Sequence, residues 1–118
     1  AFRKNLINLW DGKCAVTGCD ISDLLIASHC KPWKYSNNYE RLDIYNGLPL
    51  SPTYDKLFDA GYISFDENGN IIISSQLEKT NIKQLSVSKN DKLSNTPNNE
   101  LIKYLRFHYK NIFKDNAK

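Results

Sequence analysis

The sequence predicts a small α+β fold, on three observations. Helical patterns close both ends of the chain: Phe2, Leu6, Leu9 and Trp10 share one face near the start, and Leu101, Leu105, Tyr109 and Ile112 share one near the end. Between them, Ser51-Pro52 is a helix start, with serine at the N-cap and proline at the first helical position. After Gly61, the run YISF-DENGN-IIIS has the form of a β-hairpin with a glycine-containing turn.

Taken in order, the first helix covers residues 2–10, with Arg3 and Lys4 off its apolar face and Gly12 as the stop. Cys14 to Val16 is a short strand candidate, and TGCD turns through Gly18 and Asp20. Leu24 to Ser28 (LLIAS) is an apolar run of strand length that ends at His29, and Pro32 interrupts any continuation. Residues 31–46 form a long polar loop with tyrosines, and such loops in small domains are usually functional or mobile. Tyr54, Leu57 and Phe58 make the buried stripe of the central helix, which Gly61 ends. LEKTNIKQL is a short-helix candidate, followed by loop to Pro97 with a short extended piece. The last helix is expected over residues 98–114, with Lys103, Arg106, Lys110 and Lys114 nearly opposite its apolar face.

A chain of 118 residues can bury one modest core, so residues 1–118 are expected to form a single domain. Hydrophobic residues at 41% and charged residues at 25% are ordinary for a soluble protein. No apolar run approaches ~20 residues, which excludes a membrane-spanning helix, and no signal-peptide pattern is present. A net charge of +3 is compatible with nucleic acid but does not establish it. Three cysteines are too few, and odd in number, for a disulfide framework; they read as reduced thiols in a cytoplasmic protein. The chain begins at Ala1 and contains no methionine, which points to a fragment or processed product of something larger.

Chemistry is concentrated in His29, within ASHCKPW, Asn46, within YNGLPL, and Asp55, within SPTYDKLFDAG. A histidine at a strand end, an asparagine in a loop and a metal-binding side chain in the first turn of a capped helix form the ground plan of a metal-dependent phosphodiester-cleaving site. In this order and context the three segments resemble the HNH endonucleases, whose active site is a ββα-metal fold. One subgroup reads C-A-V-T-G, A-S-H-x-x-P-W and then N-G-L-x-L-S-P-x-x-D-x-L-F-D-x-G-x-I-S-F. That stretch runs here from Cys14 to Phe65, nearly half the chain.

The resemblance implies a core at about residues 13–75, built from a β-hairpin and the helix near residues 52–60, with the terminal helices around it. It implies His29 as the general base, a role suited to a group that titrates near neutrality. Backbone carbonyls turn the imidazole in this family, and Asn46 would hold the two strands in register. Asp55 stands nine residues after Asn46, the family interval. Its carboxylate would bind Mg²⁺, Mn²⁺ or another divalent cation. Relatives often place a second ligand just before the histidine; Ser28 there is a weak one. Where relatives hold a structural zinc with two C-x-x-C pairs, the matching positions are Cys14 and Thr17, then Ser51 and Tyr54. One ligand of four remains, so no zinc is expected, and packing of Val16, Leu48, Leu50, Tyr54 and Phe58 would replace it.

The implied partner is DNA, with Lys31, Lys34, Lys56, Lys103 and Arg106 as candidate phosphate contacts. Each signal has a plainer reading. The helical lysines can be a solvated face, Trp33 can be packed beneath its loop, Cys30 a small buried side chain, and His108 a structural histidine. Asp59, one turn from Asp55, is expected to have a positive partner such as Arg41 or a lysine. The biological role suggested by the subgroup is restriction or defence, with target recognition supplied by another domain or by dimerisation. Two other classes stay open: an HNH-like module that binds DNA without cutting, and a toxin or RNA-directed nuclease.

Overall fold

The computed structural model describes residues 1–115. Helix α1 (Phe2–Leu9) leads to strand β1 (Ile26–Ser28), helix α2 (Asn38–Leu42), strand β2 (Leu48–Leu50) and helix α3 (Pro52–Asp59). Strands β3 (Ile63–Phe65) and β4 (Ile71–Ile73) follow, then helices α4 (Lys79–Gln84) and α5 (Asn99–Asn111). Two two-stranded antiparallel sheets result: β1 with β2, pairing Ala27 to Pro49, and β3 with β4, pairing Ser64 to Ile72. The fold is α+β, and α3 packs on β1 and β2 to make the ββα unit. No helix among the described residues is long and apolar enough to cross a membrane.

The apolar stripes close over one core. Leu6, Leu48, Leu50, Phe58 and Ile63 are fully buried, with Tyr54, Leu101, Tyr104 and Leu105 around them. Burying side chains of this size stabilises the fold by about 1.5–3 kcal/mol each. Helix α3 starts as the sequence implies, with Ser51 at the N-cap and Pro52 at the first position, but the serine hydroxyl caps nothing. It lies 3.7 Å from the Cys14 thiol instead. Gly61 ends the helix at φ +83°, where a β-carbon would meet the Ile112 carbonyl oxygen at 2.2 Å.

Several elements differ from expectation. Cys14 to Val16 is a turn, because the backbone closes around the cysteine: the Gly18 amide donates to the Cys14 carbonyl and the Cys14 amide to the Cys19 carbonyl. Its outward bonds join other elements, Ala15 to the Pro49 carbonyl and Ser94 to the Ala15 carbonyl, each at 2.8 Å. The apolar run LLIAS supplies only three strand residues, since Ser22–Leu24 is a 3₁₀ turn. The long loop holds a 3₁₀ turn, Trp33–Tyr35, and the whole of α2. Residues 79–84 of the LEKTNIKQL run form α4.

In α5 the buried face is rotated from the expected one. Leu101, Tyr104, Leu105 and His108 face inward, while Tyr109 is 42% exposed. The polar ends of the two unexpected residues find partners, which is what permits their burial. The Tyr104 hydroxyl donates to Asp43 at 2.7 Å; the His108 ring meets Ser64 Oγ at 2.8 Å and the Phe58 carbonyl at 2.7 Å. His108 also stacks on Phe58 with ring centres 3.8 Å apart.

Gly47 is where α1 meets the sheet most closely. A β-carbon there would lie 2.9 Å from both Phe2 Cζ and the Ser28 carbonyl oxygen, and 3.1 Å from Leu6 Cδ2. The carbonyl belongs to a paired strand and cannot yield. Gly47→Ala should therefore destabilise the protein by about 1–3 kcal/mol, seen as a lower urea midpoint. An unchanged midpoint would show that this junction is looser than its contacts imply.

Candidate active site

Strand β1 delivers Ser28 and His29 to the mouth of the ββα unit. The His29 ring is half-buried and stacks on Phe2 of α1, with centroids 4.3 Å apart and planes 8° apart. Its Nε2 lies 2.9 Å from the Arg41 carbonyl oxygen. A carbonyl only accepts, so Nε2 carries the proton and the neutral ring keeps its lone pair on Nδ1. One face and one nitrogen are thus fixed by the protein, and the other nitrogen is left as the basic one.

Asn46 is fully buried. Its Oδ1 accepts from the Lys31 amide at 2.8 Å, and its Nδ2 donates to the Glu40 carbonyl at 3.0 Å and the Lys31 carbonyl at 3.3 Å. The side chain therefore joins the backbone just after His29 to α2. Its partners lie in the connection between β1 and β2 rather than across the two strands. Arg41, whose carbonyl orients His29, is the residue after Glu40. The asparagine and the histidine are linked through that short helix.

Asp55 is half-buried in the first turn of α3, and Ser28 Oγ donates to its Oδ1. The acid therefore contacts the residue immediately before His29. Asp55 has no ion-pair partner among the described residues. A partly desolvated carboxylate whose one side-chain hydrogen bond among the described residues comes from a neutral hydroxyl is suited to a cation. The donors are oxygens, which match a hard ion such as Mg²⁺. Such an ion keeps several waters and asks for few protein ligands. Among the described residues no cluster of three or more His, Cys, Asp or Glu side chains could hold a metal by itself.

The zinc-equivalent positions converge. Cys14 Sγ accepts from the Thr17 amide at 3.4 Å and the Ser51 amide at 3.3 Å. Burial pushes this thiol up, but the hydrogen bonds from Thr17 and Ser51 outweigh it and the net direction is down. Tyr54 is buried with its hydroxyl donating to Asp91, and Leu48, Leu50 and Phe58 are fully buried beside a half-buried Val16. Cys30 is fully buried, and burial raises its pKa strongly, as for an inert thiol.

The basic residues divide. Lys31 is paired with Glu40 at 2.9 Å and sits 5.1 Å from the Phe107 ring centre. That hydrogen bond from Lys31 holds Glu40 below the usual carboxylate range. Lys34 and Lys56 are exposed, on the segment after His29 and on α3 respectively. Lys103 lies over Tyr104, and Arg106 pairs with Glu67 on the hairpin turn. Two expectations are corrected. Asp59 points into water and has no partner among the described residues, because the last turn of α3 carries it past the packed face. Trp33 is not packed beneath its loop but 60% exposed, with Arg41 stacked on it.

Sequence reasoning missed Arg41 and Phe2 as supports of the histidine. Phe2 belonged to an apolar face that the pattern assigned to the core. Arg41 acts through its backbone, which no side-chain pattern reports. The signal that could have found α2 is Asn37-x-x-Glu40, a reciprocal capping box in which the Glu40 amide donates to Asn37 Oδ1 at 2.8 Å.

Comparison with protein families matches residues 14–66 to the HNH endonucleases. No curated protein matches the chain. The matched segment, a little under half of the chain, contains β1, α2, β2 and α3 with His29, Asn46 and Asp55, and over that stretch the chain is similar to the HNH endonucleases.

Proposed function

We propose that the protein is a divalent-metal-dependent endonuclease that hydrolyses DNA phosphodiester bonds. The observation that carries this reading is the contact of Asp55 with Ser28, beside a histidine whose Nε2 is held by the Arg41 carbonyl. The carboxylate thereby touches the residue that precedes the candidate base, which supports a reading in which the two serve one phosphate.

In this mechanism His29 Nδ1 takes a proton from the attacking water. The Nε2–H···O=C bond to Arg41 keeps the ring oriented through that transfer. Phe2 keeps the ring in plane for that transfer. Asp55, fixed by Ser28, would hold a cation such as Mg²⁺, which when bound neutralises charge on the phosphate and leaving oxygen. Asn46 acts as a positioning residue by locking α2. Lys34 and Lys56 are the best placed of the cations to meet phosphates, since Lys31 and Arg106 are already paired. A restriction or defence role in the cytoplasm, with another domain or a second copy supplying target choice, is the biological setting this reading favours.

The test is plasmid nicking with metals varied singly. Nicking should need Mg²⁺ or Mn²⁺, stop with chelator, and fall steeply with salt. Asp55→Asn keeps a Ser28 hydrogen bond but removes the charge. Its activity should drop about 10- to 100-fold at low Mg²⁺ and recover partly at high Mg²⁺. Duplex binding without nicking under every metal would favour the non-cutting module, for which the neutral Ser28 is the supporting feature. Preference for single-stranded RNA over duplex DNA would favour the RNA-directed class.

A further inference from the structure

Aromatic side chains gather on the surface just after the histidine. Trp33 is 60% exposed, Tyr35 52% and Tyr39 73%, all within the 3₁₀ turn and α2. Leaving three such rings in water forgoes the burial that normally stabilises them. Exposure here is not looseness. Ser36 Oγ donates to the Lys31 carbonyl at 3.0 Å, Arg41 Nε to the Trp33 carbonyl at 3.0 Å, and Asn37 and Glu40 cap α2 reciprocally. The rings stand on a braced frame.

Cations are interleaved with them. The Arg41 guanidinium carbon lies 3.8 Å from the Trp33 ring centre, and Lys34 Nζ 5.0 Å from that of Tyr35. Nearby acids are already engaged: Glu40 pairs with Lys31, and Asp43 accepts from the Tyr104 hydroxyl and the Tyr45 amide. With the guanidinium on one face of the indole, the exposed area belongs to the other face and the edge. An open π-face beside two cations suits a planar group attached to a polyanion, which is a nucleobase. Bases in an intact duplex present no free face; unpaired ones do. Arg41 also joins this surface to the candidate base, since its side chain stacks on Trp33 and its carbonyl holds His29 Nε2.

We propose that Trp33, backed by Arg41, is a stacking platform for an unpaired nucleobase next to the cleaved phosphate, so that the protein prefers DNA with locally unpaired bases over perfect duplex. This rests on the nuclease reading for its cleavage consequence, though not for binding. Trp10 is buried, so Trp33 is the exposed one of the two indoles.

The test titrates the full chain, without divalent metal, with a single-stranded oligodeoxynucleotide of about 15 nucleotides and with the perfect duplex of the same sequence. The single strand should bind more tightly and quench indole fluorescence. Trp33→Ala should weaken single-strand binding about tenfold or more, with little change for duplex. Trp33→Phe should keep most of the affinity and lose the quench, which guards against a folding defect in the alanine variant. With Mg²⁺, a duplex with a central mismatch should be cut faster than its perfect counterpart, and Trp33→Ala should remove that difference. Equal binding of both strand forms, unaffected by either variant, overturns the platform even if His29-dependent cleavage is seen. Trp33-dependent single-strand binding with no cleavage under any metal leaves the platform standing and removes the nuclease reading instead.

Discussion

His29→Ala is expected to lower Mg²⁺-dependent nicking by about 10²- to 10⁴-fold, the range for removal of a positioned general base. The reason is specific to this ring. Its Nε2 is bound to the Arg41 carbonyl and one face is covered by Phe2, so the basic nitrogen is the one left available. The substitution removes one stacking contact and one hydrogen bond to a backbone carbonyl from a half-buried side chain, and stability should fall by about 1–2 kcal/mol. A folded variant with near-zero nicking is therefore the predicted pair of results, read by far-UV circular dichroism and plasmid assay. If the folded variant nicks at the wild-type rate, water is activated elsewhere and the mechanism fails.

Asn46→Ala should have the largest effect on stability and a large one on activity. The side chain is fully buried and bonds to three backbone atoms, the Lys31 amide at 2.8 Å, the Glu40 carbonyl at 3.0 Å and the Lys31 carbonyl at 3.3 Å, with a longer contact to Ser36 Oγ at 3.5 Å. Alanine would leave the Lys31 amide and the Glu40 carbonyl without this partner inside the protein. We expect a loss of about 2–4 kcal/mol, measured by urea unfolding. Because those bonds fix α2, and α2 presents the Arg41 carbonyl to His29, nicking should fall below the level that residual folding allows. A stable variant with full activity would mean that the connection between β1 and β2 holds its shape without the asparagine.

The fold class was legible because its determinants are local. Ser51-Pro52 and Gly61 mark the ends of α3, and two short apolar runs joined by a glycine-containing turn mark the β3–β4 hairpin. Boundaries were less so. The Cys14 segment has strand composition but uses its hydrogen bonds to enclose a thiol, and the α5 face shifted because Tyr104 and His108 met polar partners that lie 61 and 44 residues away in sequence. Asp59 and Trp33 were misjudged for one reason. Whether a charge is paired or a ring is covered depends on what the chain places opposite it.

The order of His29, Asn46 and Asp55, their spacing and their strand, loop and helix settings were determined by the sequence alone, because propensity, capping and motif are properties of neighbouring residues. Tertiary structure decided that Ser28 holds Asp55, that Arg41 and Phe2 orient the histidine, and that Trp33 stands open beside it. Those outcomes turn on a backbone carbonyl, a ring from a distant helix and an uncovered face. Such contacts form only when segments far apart in the chain pack together, and no local pattern encodes them.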